Sequence, residues 1–490
     1  MLRFDNTYAR LPPRFYARVA ATRVPGPKLV KLNRPLAELL GADVERLASP
    51  EGAQLLAGNV VPEGAEPIAL AYAGHQFGSF VPQLGDGRAL LLGEVVGTDG
   101  KRRDIQLKGS GRTPFSRGGD GRAALGPVLR EYVVSEAMAA MGIPTTRALA
   151  IVTTGEPVHR DGPLPGAILT RVAASHIRVG TFQFFSARRD VEALTALTAH
   201  ALARHYPEVA GTGNDALALL ERVIDAHAEL VARWLGVGFV HGVMNTDNTA
   251  ISGETLDYGP CAFLDEYDPA RTFSSIDHGG RYAFGNQPHM ALWNMGRLGE
   301  ALLPLIATDL KEAARIATER LERFVSCFEA AHLRVLRAKF GLTKERERDG
   351  ELLEAWLAAL AAHPVDYTLF FRRLCAVAEG PAHDDALLAL FEGAPPVVPA
   401  FLEVWRSRLA EEDASPDARA ASMRRANPAF IPRNHRIEEA IEAAVERGDF
   451  RPFETLVDVL ARPWDDQPGH EALAAPPGPE QREYRTFCGT

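Results

Sequence analysis

The residues best suited to chemistry lie in one short run, HGVMNTDNTAISGETLDYG, at 241–259. Asn248 and Asp257, nine residues apart, offer oxygen donors of the hard kind that Mg²⁺ prefers, with water and phosphate completing its shell. Asp247 is a carboxylate that could accept a proton from an attacking hydroxyl; capping a turn or lying in an outer metal shell is the alternative. The run therefore predicts metal-assisted chemistry on a phosphate-bearing substrate.

The same run follows the order of a protein-kinase active site, H-R-D-x-x-x-x-N and then D-F-G, with one member missing. His241 and Asn248 align with the kinase His and Asn, and D-Y-G at 257–259 differs from D-F-G by one aromatic residue. Val243 stands where a kinase has its catalytic Asp, so the usual base is absent. We expect His241 to make a structural hydrogen bond rather than to catalyse.

Upstream, a strand and a helix could supply an ion pair for phosphate binding. RALLLGEVV (88–96) predicts a buried strand, and the alternation in RRDIQLKG (102–109) predicts a half-buried one, together an antiparallel hairpin. LGPVLREYVVSEAMAAMGI (125–143) predicts a helix. Lys108 could reach the α- and β-phosphates of ATP and pair with Glu131. On spacing alone, they could equally be surface residues that never meet.

Two Gly-Asp-Gly loops and two arginines are further candidates for phosphate binding. The loops are LGDGRA (84–89) and GGDGRA (118–123). Their glycines would let backbone N–H groups approach a phosphate, and each Arg adds charge-assisted hydrogen bonds, although Asp-Gly also marks ordinary hairpin turns. Arg171 and Arg178, in TRVAASHIRVG, could hold a terminal phosphate in a cleft or be scattered surface arginines.

The surrounding pattern predicts an α+β protein with a strand-rich first third and a helical remainder. A further strand is predicted at 165–172, and helices at 191–206, 215–238, 309–340, 351–410 and 436–448. The Pro-rich, polar segment 462–484 is predicted to be extended or disordered. This layout favours a two-lobed, protein-kinase-like fold with a nucleotide between the lobes. The predicted units are an N-terminal extension 1–65, an N-lobe 66–165, a C-lobe 166–340, a C-terminal helical extension 341–465 and a flexible tail 466–490.

Composition is that of an ordinary globular protein. The 490 residues are 46% hydrophobic and 24% charged, and a net charge of -9 argues against broad nucleic-acid binding. The N-terminus has no secretory signal and no run approaches the roughly 18 apolar residues of a membrane span, so a cytoplasmic protein without membrane contacts is expected. The four cysteines form no C-x-x-C pair, which argues against structural zinc. Cys488 lies third from the end, either as an available thiol or as an incidental one.

Several long stretches resemble the selenoprotein O family: LKGSGRTPFSRGGDGRA, LREYVVSEAM, GIPTTRAL, SHIRVGTFQ, HGVMNTDN, LDYGP and NPAFIPRNHR. The resemblance runs from about residue 5 to the terminal C-G-T, where Cys488 stands in the place of the selenocysteine of some members. That family is regarded as pseudokinases that transfer AMP from ATP to protein hydroxyls, with ATP reversed relative to ordinary kinases. The resemblance thus implies ATP as substrate, Mg²⁺ or Mn²⁺ as cofactor, and proteins with Ser, Thr or Tyr hydroxyls as partners.

The resemblance also implies roles for individual residues. Asp247 would be the proton acceptor, Glu131 the partner of Lys108, and Asn248 and Asp257 the metal ligands. The implied nucleotide contacts are Gly85, Gly87, Arg88, Lys108, Asp120, Gly121, Arg171, Arg178 and Asp257, the two buried-cleft arginines Arg171 and Arg178 gripping the γ-phosphate.

Four points stay open at this level. A redox bridge between Cys261 and Cys488 is a hypothesis. A true kinase of proteins or small molecules, UMP transfer from UTP, and a non-catalytic nucleotide-binding scaffold remain the alternatives to AMP transfer.

Overall fold

The structure is a computed structural model that describes residues 2–393, 395–481 and 484–486. It is a mixed α+β protein with antiparallel sheets. In the described residues the strands are β1 Tyr16–Arg18, β2 Lys28–Leu32, β3 Ile68–Leu70, β4 Gly74–Gln76, β5 Ser79–Val81, β6 Ala89–Val96, β7 Arg102–Lys108, β8 Ala123–Ala124, β9 Arg147–His159, β10 Pro163–Ala173, β11 Phe239–Val240 and β12 Ala262–Phe263.

Helices dominate after β10, as the sequence predicts. Within the same described ranges they are α1 Arg34–Leu39, α2 Val44–Leu47, α3 Pro50–Leu56, α4 Leu125–Ala140, α5 Val179–Ser186, α6 Val191–His205, α7 Asp215–Val237, α8 Gln287–Ile306, α9 Leu310–Phe340, α10 Asp349–Ala362, α11 Tyr367–Val377, α12 Asp384–Leu388, α13 Val397–Leu409, α14 Pro416–Arg424, α15 Asn434–Arg447, α16 Arg451–Leu460 and α17 Glu471–Ala474.

The main sheet has the strand order β1-β3-β6-β7-β10-β9-β2, and β8 pairs with β10. The predicted hairpin is confirmed as β6 and β7, which pair antiparallel. The strand predicted at 165–172 is β10, which pairs with the other edge of β7 and sets Arg171 opposite Gln106. Because directly paired residues share a face, the register places Arg171 on the same face as Lys108.

Different helices cover the two faces of this sheet. On one face, Leu36 and Leu56 from the N-terminal helices join Leu107 and Ile168 in a buried apolar cluster. On the other face lies α4, which packs against β9 and β10. The N-terminal segment also supplies the two end strands, β1 and β2, so it is part of the sheet. The predicted domain boundaries themselves remain predictions.

The alternation in β7 is misleading about its burial. The sequence predicts a half-buried strand, but Asp104, Gln106 and Lys108 are buried together with the apolar residues between them. The polar face is covered because other elements bring opposite charges to it. Arg204 donates to Asp104 at 2.6 Å, and Glu131 accepts from Lys108 at 2.5 Å. This prediction was therefore wrong for the polar side of the strand.

The helical part forms a second apolar core in the predicted C-terminal extension, built around Trp356, Phe370 and Trp405. Helix α9 matches its predicted range of 309–340. It begins after Asp309, whose side chain accepts from the backbone of Lys311, and its C-cap is a left-handed glycine. Local capping signals therefore place this helix correctly. None of the helices described is long and apolar enough to cross a membrane.

The segment predicted to be extended or disordered is partly regular. It contains α17 and a 3₁₀ turn at Pro479–Gln481. Gln467 Nε2 donates to the carbonyl oxygens of Val459 and Arg462 at 2.9 and 3.0 Å, and Asp466 pairs with Arg372 of α11 at 2.7 Å. Polar composition misled the prediction because these polar side chains are used in contacts, one of them with Arg372, 94 residues away. Cys488 lies outside the described residues.

Candidate active site

Lys108, Glu131, Arg171 and Asp257 meet in one buried ionic cluster. Lys108 Nζ donates to Glu131 Oε2 at 2.5 Å and to Asp257 Oδ1 at 2.8 Å. Arg171 Nη2 donates to Glu131 Oε1 at 2.5 Å and to Asp257 Oδ1 at 2.6 Å. The strands β7 and β10, the helix α4 and the 241–259 run each contribute a member. The lysine and the glutamate therefore do meet, and Arg171 is not a surface residue.

Arg178, which directly precedes α5, completes the cluster. Its Nη1 donates to the Asp247 carbonyl at 2.6 Å and to Asp257 Oδ2 at 3.3 Å. The guanidinium also lies over the ring of Tyr72, 4.5 Å from its centroid. Within the cluster, three cations meet the carboxylates of Glu131 and Asp257, and Arg178 also faces the buried Asp86 at 3.8 Å. Three convergent cations are suited to bind an anionic ligand.

Asp257 is held as a carboxylate by these neighbours. Burial by itself would raise its pKa, but Arg171, Lys108 and Arg178 outweigh it and keep the pKa well below its ordinary value. Its backbone φ is +66°, in the left-handed region that costs a non-glycine residue roughly 1 kcal/mol. The three cationic contacts stabilise this conformation, which turns the carboxylate toward them.

His241 makes the structural hydrogen bond that the sequence suggests. Its Nε2 lies 3.0 Å from the carbonyl oxygen of Leu256, the residue before Asp257. The ring is buried, and this burial lowers its pKa. His241 therefore ties the start of the 241–259 run to the turn that carries the carboxylate.

Asp247 lies on a short 3₁₀ turn, Thr246–Asn248, and only 7% of the residue is exposed. Gln76 Nε2 donates to its Oδ2 at 3.2 Å, while Oδ1 has no hydrogen-bond partner among the described residues. Burial raises the pKa of Asp247 to about 6, against the opposing effect of Arg178. A carboxylate with such a pKa and one uncommitted oxygen is suited to accept a proton near neutral pH.

The hairpin of β4 and β5 covers this turn, and sequence reasoning missed it. The His75 backbone N–H donates to Thr246 Oγ1 at 2.7 Å, and that of Phe77 donates to Asn245 Oδ1 at 3.0 Å. Gln76, between them, supplies the contact to Asp247. The run AGHQFG is the signal that could have found it, since hydrogen-bonding side chains stand there between glycines in an apolar stretch.

Asn248 is one of the two residues that could hold a metal ion. Its Nδ2 donates to the Val243 carbonyl at 3.2 Å, which leaves Oδ1 as the remaining donor to a cation. Asn248 and Asp257 thus supply two oxygens, and the described residues contain no cluster of three or more His, Cys, Asp or Glu side chains that could hold a metal by themselves. Two oxygens fit Mg²⁺, which commonly completes its octahedron with water and substrate phosphate.

The first Gly-Asp-Gly loop adjoins the cluster through Asp86, another residue that the sequence analysis missed. Asp86 is buried, and its Oδ2 accepts from Gln106 at 3.3 Å. Its Oδ1 lies 3.8 Å from Arg178 Nη2. The flanking Gly85 and Gly87 pack so closely on Phe115 that a side chain at either would collide with it.

Arg88 and the second Gly-Asp-Gly loop stand apart from the cluster. In the described part of the chain no hydrogen bond or ion pair involves the Arg88 side chain, which is partly exposed. Asp120 pairs with Arg160 at 2.9 Å, with 43% of its side chain exposed. Gly121 accepts a backbone hydrogen bond from Gly111 at 3.0 Å and packs against it. The structure therefore brings together Lys108, Glu131, Arg171, Arg178 and Asp257, but not Asp120.

Cys261 follows D-Y-G, and its thiol is fully buried. Burial raises the pKa of this thiol to about 12, so little thiolate forms near neutral pH. Thr486 Oγ1 donates to the carbonyl of Pro260 at 2.7 Å, so the chain approaches Cys261 two residues before Cys488. Cys488 itself is outside the described residues, and the bridge stays a prediction.

Comparison with known proteins identifies the family. Residues 1–461 match the family described as "Protein adenylyltransferase SelO". The chain is also similar to proteins named "Protein nucleotidyltransferase YdiU" from Methylorubrum populi (64% identical), a Bradyrhizobium species (61%) and Rhodopseudomonas palustris (60%), in each case over 99% of both chains. The chain therefore belongs to the SelO family of protein adenylyltransferases and is an enzyme of the nucleotidyltransferase class.

Proposed function

We propose that this protein transfers AMP from ATP to Ser, Thr or Tyr hydroxyls of other proteins, in a two-lobed, kinase-like cleft. The observation that carries the proposal is the buried ionic cluster, in which Lys108, Arg171 and Arg178 converge on Asp257. Three convergent cations beside Asp247, whose Oδ1 has no hydrogen-bond partner among the described residues, suit a polyphosphate substrate and an acceptor hydroxyl.

The kinase-like architecture is supported by how this cluster is assembled. An antiparallel sheet carries Lys108, and the helix packed on that sheet carries Glu131. The helical part of the chain supplies the 241–259 run, with Asn248 and Asp257. Protein kinases arrange the equivalent lysine, glutamate, asparagine and aspartate in this order.

In the proposed reaction ATP lies with its α-phosphate toward Asp247 and its β- and γ-phosphates toward Arg171 and Arg178. Asp247 accepts the proton of the acceptor hydroxyl, whose oxygen then attacks the α-phosphorus. The bond between the α-phosphorus and the bridging oxygen breaks, and pyrophosphate leaves with the electron pair. The arginines stabilise the charge that develops on it. Val243 cannot serve as a base for the opposite orientation.

A divalent metal ion, when bound, would neutralise charge on the phosphate oxygens. Asn248 and Asp257 would hold it. Glu131 positions both Lys108 and Arg171, since its Oε2 accepts from Lys108 and its Oε1 from Arg171. Preorganised cations cost little reorganisation when charge develops in the transition state.

The position of the transferred label tests this proposal. We expect the protein incubated with ATP and Mg²⁺ to label itself or added proteins from α-³²P-ATP but not from γ-³²P-ATP, with a gain of one AMP unit in the intact mass. Transfer from γ-³²P-ATP would instead make the protein a kinase. Preferential labelling from α-³²P-UTP with Mn²⁺ would indicate UMP transfer, and nucleotide binding without labelling would indicate a scaffold.

The close approach of the β4–β5 hairpin to Asp247 yields a second expected result. A Cβ atom at Gly74 would lie 2.9 Å from Cγ of Asp247 and collide with its Oδ1. We expect Gly74→Ala to slow AMP transfer by roughly a hundredfold, since small displacements of a reacting group have effects of that size. Initial rates with α-³²P-ATP measure the effect.

The matched control is Gly162→Ala, because an added Cβ there meets open space and the backbone needs no left-handed conformation. This variant should transfer AMP at the parental rate. An unimpaired Gly74→Ala enzyme would show that the hairpin does not position Asp247.

A further inference from the structure

A patch of aromatic and cationic side chains lies beside the β4–β5 hairpin. Trp293 of α8 lies between two guanidinium groups, with Arg281 and Arg297 at 4.8 and 4.9 Å from its ring centroid. The ring of His75 meets the edge of Trp293 at 5.3 Å and the ring of Phe80 at 4.9 Å. Phe80 is 41% exposed, so the patch presents apolar surface to solvent.

Arg281 is the unusual member of this patch. Arg297 pairs with Glu300 at 2.6 Å, but no carboxylate pairs with Arg281 among the residues that the structure describes. Two of its nitrogens, Nε and Nη2, are buried there without a hydrogen-bond partner, whereas only Nε is in that position in Arg297. Buried N–H groups left unpaired are unfavourable. The guanidinium of Arg281 therefore has a charge and hydrogen-bonding capacity that no described carboxylate uses.

The hairpin connects Arg281 to the candidate base. The Arg281 Cζ lies 3.6 Å from the position of a Cβ at Gly78, and Gln76, two residues earlier, donates to Asp247. The backbones of Gln76 and Gly78 therefore lie at most roughly 7 Å apart. On the other side, the Tyr282 hydroxyl donates to Asn245 Oδ1 at 2.7 Å, two residues before Asp247. Arg281 is thus linked to the turn that carries Asp247 on two sides, through the β4–β5 hairpin and through Tyr282.

We propose that Arg281 recognises an acidic side chain near the acceptor hydroxyl of the protein substrate. In an extended segment whose hydroxyl faces Asp247, the chain advances about 3.3 Å per residue, so a side chain a few residues from the hydroxyl would reach the guanidinium. The exposed face of Trp293 and Phe80 would pack against its apolar neighbours. The inference rests on the proposed function, because it names the kind of protein segment that receives AMP.

The local positive charge of Arg281, as opposed to the net charge of the chain, favours an acidic occupant. The whole chain carries a net charge of -9, which repels acidic segments at a distance. A local arginine without a carboxylate partner selects them once they reach the cleft, and such contacts act mainly on specificity. A basic substrate segment would leave the same guanidinium unpaired and add repulsion.

Peptides of matched composition test the inference. Each peptide carries one Ser, Thr or Tyr and, two or three residues away, Glu, Gln or Lys. We expect the parental enzyme to label the Glu peptides about fivefold faster than the Gln peptides at low peptide concentration, as for a partly exposed ion pair. Arg281→Glu should reverse the preference toward the Lys peptides, and Arg281→Gln should abolish it.

The controls separate this inference from the proposed function. Arg297→Gln removes a neighbouring arginine whose charge is already paired, so the preference for Glu peptides should persist. Labelling that ignores the flanking charge would overturn the inference while leaving AMP transfer established. A higher KM for ATP in Arg281→Gln, with the peptide preference unchanged, would assign the arginine to the nucleotide instead. No labelling of any peptide or of the protein itself would reject the function.

Discussion

Replacing Asp257 by Asn is expected to lower AMP transfer by about a thousandfold. Asp257 is the one carboxylate that contacts Lys108, Arg171 and Arg178 together, and it is also a proposed metal ligand. Asn keeps the shape of the side chain but removes its charge. Loss of one preorganised electrostatic contact commonly costs 10²–10³ in rate, and weaker metal binding adds to that loss.

The same change should also destabilise the fold, since it removes the one charge that Lys108, Arg171 and Arg178 share and leaves them with Glu131 and the more distant Asp86. Removing one partner from a buried ionic network costs on the order of 3 kcal/mol. Thermal unfolding without nucleotide measures this, and rates are taken well below the midpoint of the variant. Asp458→Asn, at a carboxylate that is 76% exposed, is the matched control and should change neither property. A variant at Asp257 that retained a tenth of the parental rate would contradict the assignment.

The pKa of Asp257 lies well below its ordinary value, so this carboxylate stays ionised throughout the neutral range. The stability that it contributes is present above the ordinary pKa of an aspartate and is lost only when the pH falls toward the lowered value. The pH–rate profile of AMP transfer should therefore show no rise or fall caused by Asp257 between pH 5 and pH 9. A change of rate with pH in that range must come from another group.

Asp247→Asn is expected to lower transfer by about 10²–10⁴-fold, the usual contribution of a positioned general base. Burial raises the pKa of Asp247 to about 6, so the parental rate should rise as the pH passes upward through about 6 and then level off. The base works only when ionised, which sets the sign of this dependence. The Asn variant has no such group and should lose the limb, while ATP still raises its unfolding temperature.

Gln76→Leu supplies the positioning control for this result. The Gln76 amide donates to the ionised carboxylate and so lowers the pKa of Asp247. Its removal should move the limb to higher pH, an effect that a purely structural role would not produce. If Asp247→Asn kept a limb near pH 6, the proton acceptor would have to be another group.

Local structure followed from local patterns in the sequence. The hairpin of β6 and β7, the helix α4 and the helix α9 were predicted within a few residues, because apolar periodicity and caps such as Asp309 act over one or two turns. The spacing of Asn248 and Asp257 also indicated a phosphate site from the sequence. A bridge between Thr249 and Thr255 closes the short loop that joins them.

Other features depended on packing between distant segments. From their own residues, Arg171 and Arg178 could be either cleft arginines or scattered surface arginines, and the structure shows them reaching Asp257 across 86 and 79 residues. Burial of the polar face of β7 likewise required Glu131 and Arg204 from two separate helices. Asp466 of the C-terminal segment likewise pairs with Arg372 of α11, 94 residues earlier.

The sequence by itself determined the main hairpin, the longer helices, the family resemblance and the residue types of the candidate metal site. Only the tertiary structure decided which charges share one buried cluster, that the β4–β5 hairpin covers Asp247 from 171 residues away, and that Arg281 is left without a carboxylate among the described residues. The physical reason is that strand register and helix packing set these distances. Strand register and helix packing produce no periodic sequence pattern at the residues concerned.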